Sequence, residues 1–233
     1  AREDHWHEDR RASIGQVRIE RLGTDDEPGP GVAVWLPASG DRRGTVGLDR
    51  RLAPTDEVLG IFFDEQLVST IRVHHVTAAE RDSVAVSHFP DVMNPLLDAG
   101  KTFVDPVRFA ADPELMRDYP ALPYLTLRVA TMATVYFDVD YCLSVIKPNH
   151  RAFYKRIFQS VELTESRYFE RYNSNIELHG ADAHELKRTL FRRFPFFSSQ
   201  PSERKMMFAP RNELMMPPLT IRPTARYALQ RAG

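Results

Sequence analysis

Four side chains in the middle of the chain have the types and spacing to do chemistry. Asp105-Pro106-Val107-Arg108-Phe109-Ala110 sets an acid three residues ahead of an arginine, and Ser69-Thr70-Ile71-Arg72-Val73 sets a second arginine in a β-rich run. Tyr154 stands in the basic stretch His150-Arg151-Ala152-Phe153-Tyr154-Lys155-Arg156. A carboxylate at Asp105 takes a proton, orients a nucleophile, or pairs with Arg108. An ordinary Asp titrates near 3.9, so it serves as a base at neutral pH only if burial raises it. Either guanidinium offers a bidentate fork to a carboxylate, or closes an internal salt bridge to Asp105. Pro106 removes a ladder donor and points to a sheet edge or a bulge. A bulge frees backbone N–H groups, here those of Phe109 or Ala110. One such donor aimed at a developing oxyanion is worth about 10²–10³ in rate.

The elements that must hold these groups are legible from periodicity. Val58 to Phe63 and Leu67 to Val76 flank the polar trio Asp64-Glu65-Gln66 and predict a hairpin. In its second arm Leu67, Ile71 and Val73 share one face, and Arg72 and His74 the other. The first should meet a core and the second a solvent-accessible surface or cleft. A short helix is expected from Phe89 to Leu97, ended by Gly100, and then a strand from Lys101 to Ala110. Leu122, Leu125, Val129, Met132 and Tyr136 recur at helical spacing with Arg128 as the only charge, which predicts a mostly buried helix. Tyr141 to Ile146 reads as a buried strand, and Pro148 opens a helix. Val161 to Phe169 and Asn175 to Leu178 read as strands, and Ala183 to Phe194 as a basic amphipathic helix. Residues 1–57 are poorly patterned, with one strand candidate at Val32 to Leu36. Residues 195–233 are Pro- and Met-rich, with Pro217-Pro218 forbidding a continuous helix. Strands and helices alternate between these flanks, so the fold class is α/β (α+β), a mixed sheet with helices on its faces.

Composition excludes several functions. The 233 residues carry 31 Lys plus Arg against 32 Asp plus Glu, a net charge of -1 that leaves no global basic field for nucleic acid. One cysteine, Cys142, rules out a disulfide framework and multi-cysteine metal sites, and fits a reducing, cytoplasmic compartment. His74 and His75 are adjacent on a strand and point to opposite faces, so no metal is expected. No run approaches the length of a membrane span, and the charged first residues do not read as a secretory signal.

Three segments carry a resemblance: Ser69 to Val73, Asp105 to Ala110 and His150 to Arg156, in that order and spacing. Together they resemble the GNAT-type acyltransferase fold, and within it the autoinducer-synthase branch of N-acylhomoserine lactone synthases and long-chain N-acyl amino acid synthases (FeeM-like). The likeness spans roughly Val58 to Leu190. It implies a mostly antiparallel central sheet, helices on both faces, a splayed central strand pair, and a core of residues 58–194.

The implied activity is transfer of a medium or long acyl chain to the amine of an amino acid. By resemblance Asp105 is the base or orienter unless it only pairs with Arg108 or caps a turn, Phe109 or Ala110 supplies an N–H donor, and Tyr154, if not a core tyrosine packed against Phe158, protonates the departing thiolate. One of Arg72 and Arg108 contacts the substrate carboxylate unless both close a salt-bridge network around Asp105, and Met132 and Tyr136, if not plain core, line an acyl tunnel. Coenzyme-A acetyltransferases cradle pyrophosphate on a Gly-rich turn, yet no glycine occurs from Lys101 to His179. No cofactor bound permanently is expected, and the phosphopantetheine-linked donor is acyl carrier protein rather than acyl-coenzyme A. That acidic partner would dock on Arg151, Lys155 and Arg156, with Lys187, Arg188, Arg192 and Arg193 nearby, unless these are ordinary solvated helix faces. Two other readings stand beside this one: a lactone synthase using S-adenosylmethionine, against which the missing N-terminal motif counts, and a non-catalytic acyl-binding module.

Overall fold

The computed structural model describes residues 17–22, 56–63, 66–111, 113–210 and 219–221. Strands β2 (Asp56–Phe63) and β3 (Gln66–Val76) form the expected antiparallel hairpin. Strand β4 (Phe103–Ala111) lies antiparallel against β3. Between them run α1 (Val84–His88) and α2 (Pro90–Asp98), one helical region in which Pro90 lacks the N–H to continue a ladder and Phe89 leaves helical geometry. Gly100, at φ +80°, turns the chain out of α2.

After β4 come α3 (Pro113–Asp118) and α4 (Leu122–Tyr136), then β5 (Tyr141–Ile146) and α5 (Arg151–Phe158). The expected strand from Val161 to Phe169 divides into β6 (Val161–Glu162) and β7 (Arg167–Phe169), and both pair with β8 (Ser174–Asp182). A helix α6 (183–193) follows, with a π-turn at Leu186–Leu190. Among the described residues the sheet order is β6-β8-β5-β4-β3-β2-β1-β9, with β1 (Val17–Arg21) and β9 (Leu219–Ile221) at one end. Every strand pairing among the described residues is antiparallel except β4 with β5.

Two cores sandwich this sheet. On one face Ile71, Val73, Val104 and Cys142 pack under α4, α5 and α6. On the other Val76, Phe103, Leu143 and Leu178 pack under Ala85 of α1 and Phe89, Met93 and Leu97. Arg72 and His74 lie on this second face and are 8% and 4% exposed. The polar face of β3 is therefore buried rather than solvent-accessible, because α1 and α2 close over it.

Several elements were not anticipated, among them α1, α3 and β9. Val17–Arg21 adds a strand beside β2 in the poorly patterned N-terminal segment, where only Val17 and Ile19 supply an alternating pair. In the C-terminal segment α7 (Pro201–Phe208) forms, started by Pro201 at its first position and by a reciprocal capping box between Gln200 and Glu203. Arg128 of α4 draws this segment in: Nε donates to the Phe196 carbonyl at 2.9 Å, and Nη2 donates to the Ser198 carbonyl at 2.8 Å and to Glu203 Oε1 at 3.0 Å. The strand candidate at Val32 to Leu36 lies outside the described residues. No helix among the described residues is long and apolar enough to cross a membrane.

Candidate active site

Strands β4 and β5 pair through only two residues each, Phe103 with Tyr141 and Val104 with Cys142. Beyond that contact both strands continue, β4 to Ala111 and β5 to Ile146, without facing one another. The gap opens at Asp105. Parallel strands this close normally keep their ladder, so the early separation is a built feature, and it is the splayed pair implied by the resemblance.

Asp105 is fully buried at the apex of the gap. Its Oδ2 accepts the Ala85 N–H at 2.8 Å, and Oδ1 makes no hydrogen bond among the described residues. Burial pushes this carboxyl above its ordinary range, opposed by the Ala85 N–H, His74, Ser83 and His88. Ser83 caps α1 by accepting the Val86 N–H at 3.2 Å, so the cap that starts this helix also aims Ala85 at Asp105. Directly across on β3, His74 is the register partner of Asp105, and Arg72 is that of Val107.

The register slips between Thr70 and Arg72: Thr70 faces Ala110, but Arg72 faces Val107. β4 thus holds one residue more than β3 here, with Arg108 and Phe109 in the bulge and Phe109 39% exposed. The bulge expected from Pro106 lies where the candidate N–H donors are. The side chains of Arg108 and Ala110 lie outside the described residues.

Tyr154 reaches the apex from the opposite face. Its ring packs on Phe153 and Phe158, and burial, with Cys142 adding to it, pushes its hydroxyl up to about 12. Cys142, the last β5 residue paired with β4, is itself pushed up to about 11 by burial, opposed by the Thr134 hydroxyl and assisted by Asp105. Cys142 therefore lies between the other two, raised by Asp105 and itself raising Tyr154. The carboxylate and the phenol stand on opposite sides of the sheet, so an acceptor and a donor can approach from different faces.

The remaining expected site residues do not join this group. Met132 is fully enclosed with its sulfur 3.2 Å from Arg128 Nη1, and Tyr136 packs on Phe137 and Phe208, between α4 and α7. Arg151 is paired although its side chain stays 48% exposed: its Nε donates to Glu177 Oε2 at 2.9 Å and its second nitrogen pairs with Oε1. Glu177 also takes His179 Nε2 at 3.0 Å and is held below the ordinary carboxylate range, chiefly by Arg151. Arg151 thus ties α5 to β8. Lys155 and Arg156 are exposed and make no ion pair among the described residues, and Arg193 donates to the Arg156 carbonyl at 3.3 Å. Lys187 and Arg188 are paired with Asp138 and Glu185. His75 stacks on Phe137 with centroids 4.3 Å apart, on the face away from His74. Among the described residues no cluster of three or more His, Cys, Asp or Glu has the arrangement to hold a metal.

Residues 38–182 match the family model described as N-acyl amino acid synthase FeeM, well over half of the chain and every strand from β2 to β8. The chain belongs to that family. FeeM, an N-acyl amino acid synthase from uncultured soil microbes, is 19% identical with a TM-score of 0.53, over 61% of this chain and 77% of that one. The coenzyme-A-dependent acyl-homoserine lactone synthase BjaI is 14% identical with a TM-score of 0.45, over 65% and 68%. A putative arylalkylamine N-acetyltransferase 7 from the yellow fever mosquito is 11% identical with a TM-score of 0.40, over 54% and 64%. No curated protein matches. The likeness to FeeM fixes the fold as GNAT-like, and membership of the FeeM family makes the chemistry class N-acyl transfer.

His74, Ser83, Glu177 and His179 were missing from the expected site. His74 had a signal, since alternation sets it on the face of Arg72. The others had none that is local in sequence.

Proposed function

We propose that the chain moves a medium or long acyl group from acyl carrier protein to the amine of an amino acid. The observation that carries this is the two-residue contact between β4 and β5, with Asp105 and Tyr154 at its end on opposite faces. A thioester carbonyl lying in the gap meets the N–H groups of the Phe109 bulge, which stabilise its oxygen as the amine attacks. Arg72 forks onto the carboxylate of the acceptor. Tyr154, with its hydroxyl near 12, holds its proton too firmly to surrender it fully to a thiol of ordinary acidity near 8.5. It acts by donating a hydrogen bond to sulfur as the C–S bond breaks.

Two features favour the carrier protein as donor. The connection from Ala111 to Ala121 lacks glycine, and α4 begins with Pro123 in its first turn, which removes one N–H that a pyrophosphate would use. The exposed Lys155, Arg156 and Arg192 offer positive charge to an acidic helix.

The test is turnover by purified protein of long-chain acyl carrier protein and acyl-coenzyme A, each with mixed amino acids, read by mass spectrometry. N-acyl amino acid formed from the carrier-linked donor is the expected product. A lactone formed only with S-adenosylmethionine, or lipid binding without any product, would overturn the proposal.

A further inference from the structure

We propose that Glu177 is a positioning residue for the transfer: its grip on Arg151 fixes where α5 lies on the sheet, and thereby where the Tyr154 hydroxyl meets the departing sulfur. This rests on the role given to Tyr154 above. Tyr154 follows Arg151 by three residues, so the two share one side of α5, about 4.5 Å apart along its axis. Its hydroxyl makes no hydrogen bond among the described residues, and both of its ring partners, Phe153 and Phe158, belong to α5 itself. Where that hydroxyl lies over the sheet is therefore decided by where α5 lies.

The start of α5 is poorly provided for on its own. The turn Pro148–His150 and the first turn of the helix have no side-chain cap and no acid, and the charges on α5 are Arg151, Lys155 and Arg156. A cation in a first turn meets the positive end of the helix dipole. Glu177 of β8 supplies the missing carboxylate. It takes Arg151 Nε at 2.9 Å on one oxygen and the second nitrogen on the other. Among the described residues this fork is the only hydrogen-bonded tie between α5 and the sheet. Glu177 itself is fully buried, with His179 Nε2 at 3.0 Å from Oε2. The best-attested use of a buried charged group is to fix register, because any other alignment leaves it unpaired and out of water. A two-bonded guanidinium adds direction that a point charge lacks.

Register at Arg151 reaches Tyr154 through the helix. Glu177 faces Ile146 at the end of β5, and Ala181, four residues on, faces Cys142. Arg151 is held at the first of these levels. Tyr154 lies toward the second, where Cys142 adds to burial in raising its hydroxyl. Helix α5 thus runs along β8 from Glu177 toward the point where β4 and β5 part. Slipping it by one residue moves Tyr154 about 1.5 Å along the axis or turns it by about 100°. A misplacement of about 1 Å at a reacting centre costs about 10²-fold in rate.

The test is a double-mutant cycle, begun once wild type has been shown to form an N-acyl amino acid. A small acyl-pantetheine thioester serves as donor, so that docking of acyl carrier protein does not enter. Glu177→Gln keeps the shape and removes the charge. It should lower kcat about tenfold or more, but no further than Tyr154→Phe does, and leave the KM of the donor unchanged. In the Tyr154→Phe background the same substitution should alter kcat by less than about twofold. Arg151→Lys keeps the charge and loses the fork. It should show the same pattern, and it decides alone should Glu177→Gln not fold. Losses that multiply in the double variant, or a Glu177→Gln kcat equal to that of wild type, would overturn the positioning role and leave the transferase reading intact. An unchanged kcat in Tyr154→Phe would overturn the role of Tyr154 on which the proposal rests, and a wild type without product would overturn the transferase reading.

Discussion

Replacing Arg128 with methionine keeps the length of the stem and removes the head that fastens residues 195–208 to α4. The guanidinium donates to two carbonyls and one carboxylate, at 2.9, 2.8 and 3.0 Å, and its side chain is only 9% exposed. Hydrogen bonds from a charged group are worth about 1.5–3 kcal/mol each, but three made by one head do not add. Glu203 stays 24% exposed, so the loss falls mainly on the bonds to the Phe196 and Ser198 carbonyls, for which about 3–5 kcal/mol together is expected. We take that figure for Arg128→Met, which in a chain of this size lowers Tm by roughly 6–20 °C. Thermal unfolding followed by circular dichroism gives the total. Limited proteolysis gives the place, with cleavage expected first between Pro195 and Ala209. A loss below about 1 kcal/mol, or first cleavage elsewhere, would refute the reasoning that Arg128 is the anchor of α7.

Three further outcomes follow from the same geometry. Glu177, held below its ordinary range by Arg151, adds stability above its unfolded value of about 4.3 and loses it as pH falls further. The stability gap between wild type and Glu177→Gln should therefore narrow below about pH 4 in urea titrations, and a gap independent of pH would contradict the pairing. Tyr154→Phe removes the donor to sulfur and should cut kcat about tenfold or more while leaving the KM of the acyl donor unchanged, and unaltered kcat would remove Tyr154 from the reaction. Lys155→Glu with Arg156→Glu should raise the KM for acyl carrier protein in a salt-dependent way and spare a small acyl-pantetheine donor. Equal effects on both donors would retire that surface.

The main elements were legible because each is written locally. The hairpin follows from two β-rich runs around Asp64 to Gln66, and α4 from a helical stripe around one charge. The bulge follows from Pro106. What alternation could not say is what covers a face: it put Arg72 and His74 on the same side of β3 but not under α1, whose position depends on tertiary packing. The Arg151–Glu177–His179 group was hidden for a similar reason, since α5 and β8 meet only in the folded chain. The basic stretch alone did not show that Arg151, while still exposed, also pairs with a buried carboxylate. Helix α7 did carry a local signal in Gln200-Pro201-Ser202-Glu203, obscured by the prolines further along.

Hydrogen exchange with a hydrolysis-resistant acyl-pantetheine thioether tests most directly whether the opening between β4 and β5 receives the donor arm. Slowed exchange at the amides of Val107 to Phe109 and Leu143 to Val145, with the rest of the sheet unchanged, is the expected result. Protection confined to other parts of the molecule, with these two strand segments exchanging as in the free protein, would contradict it.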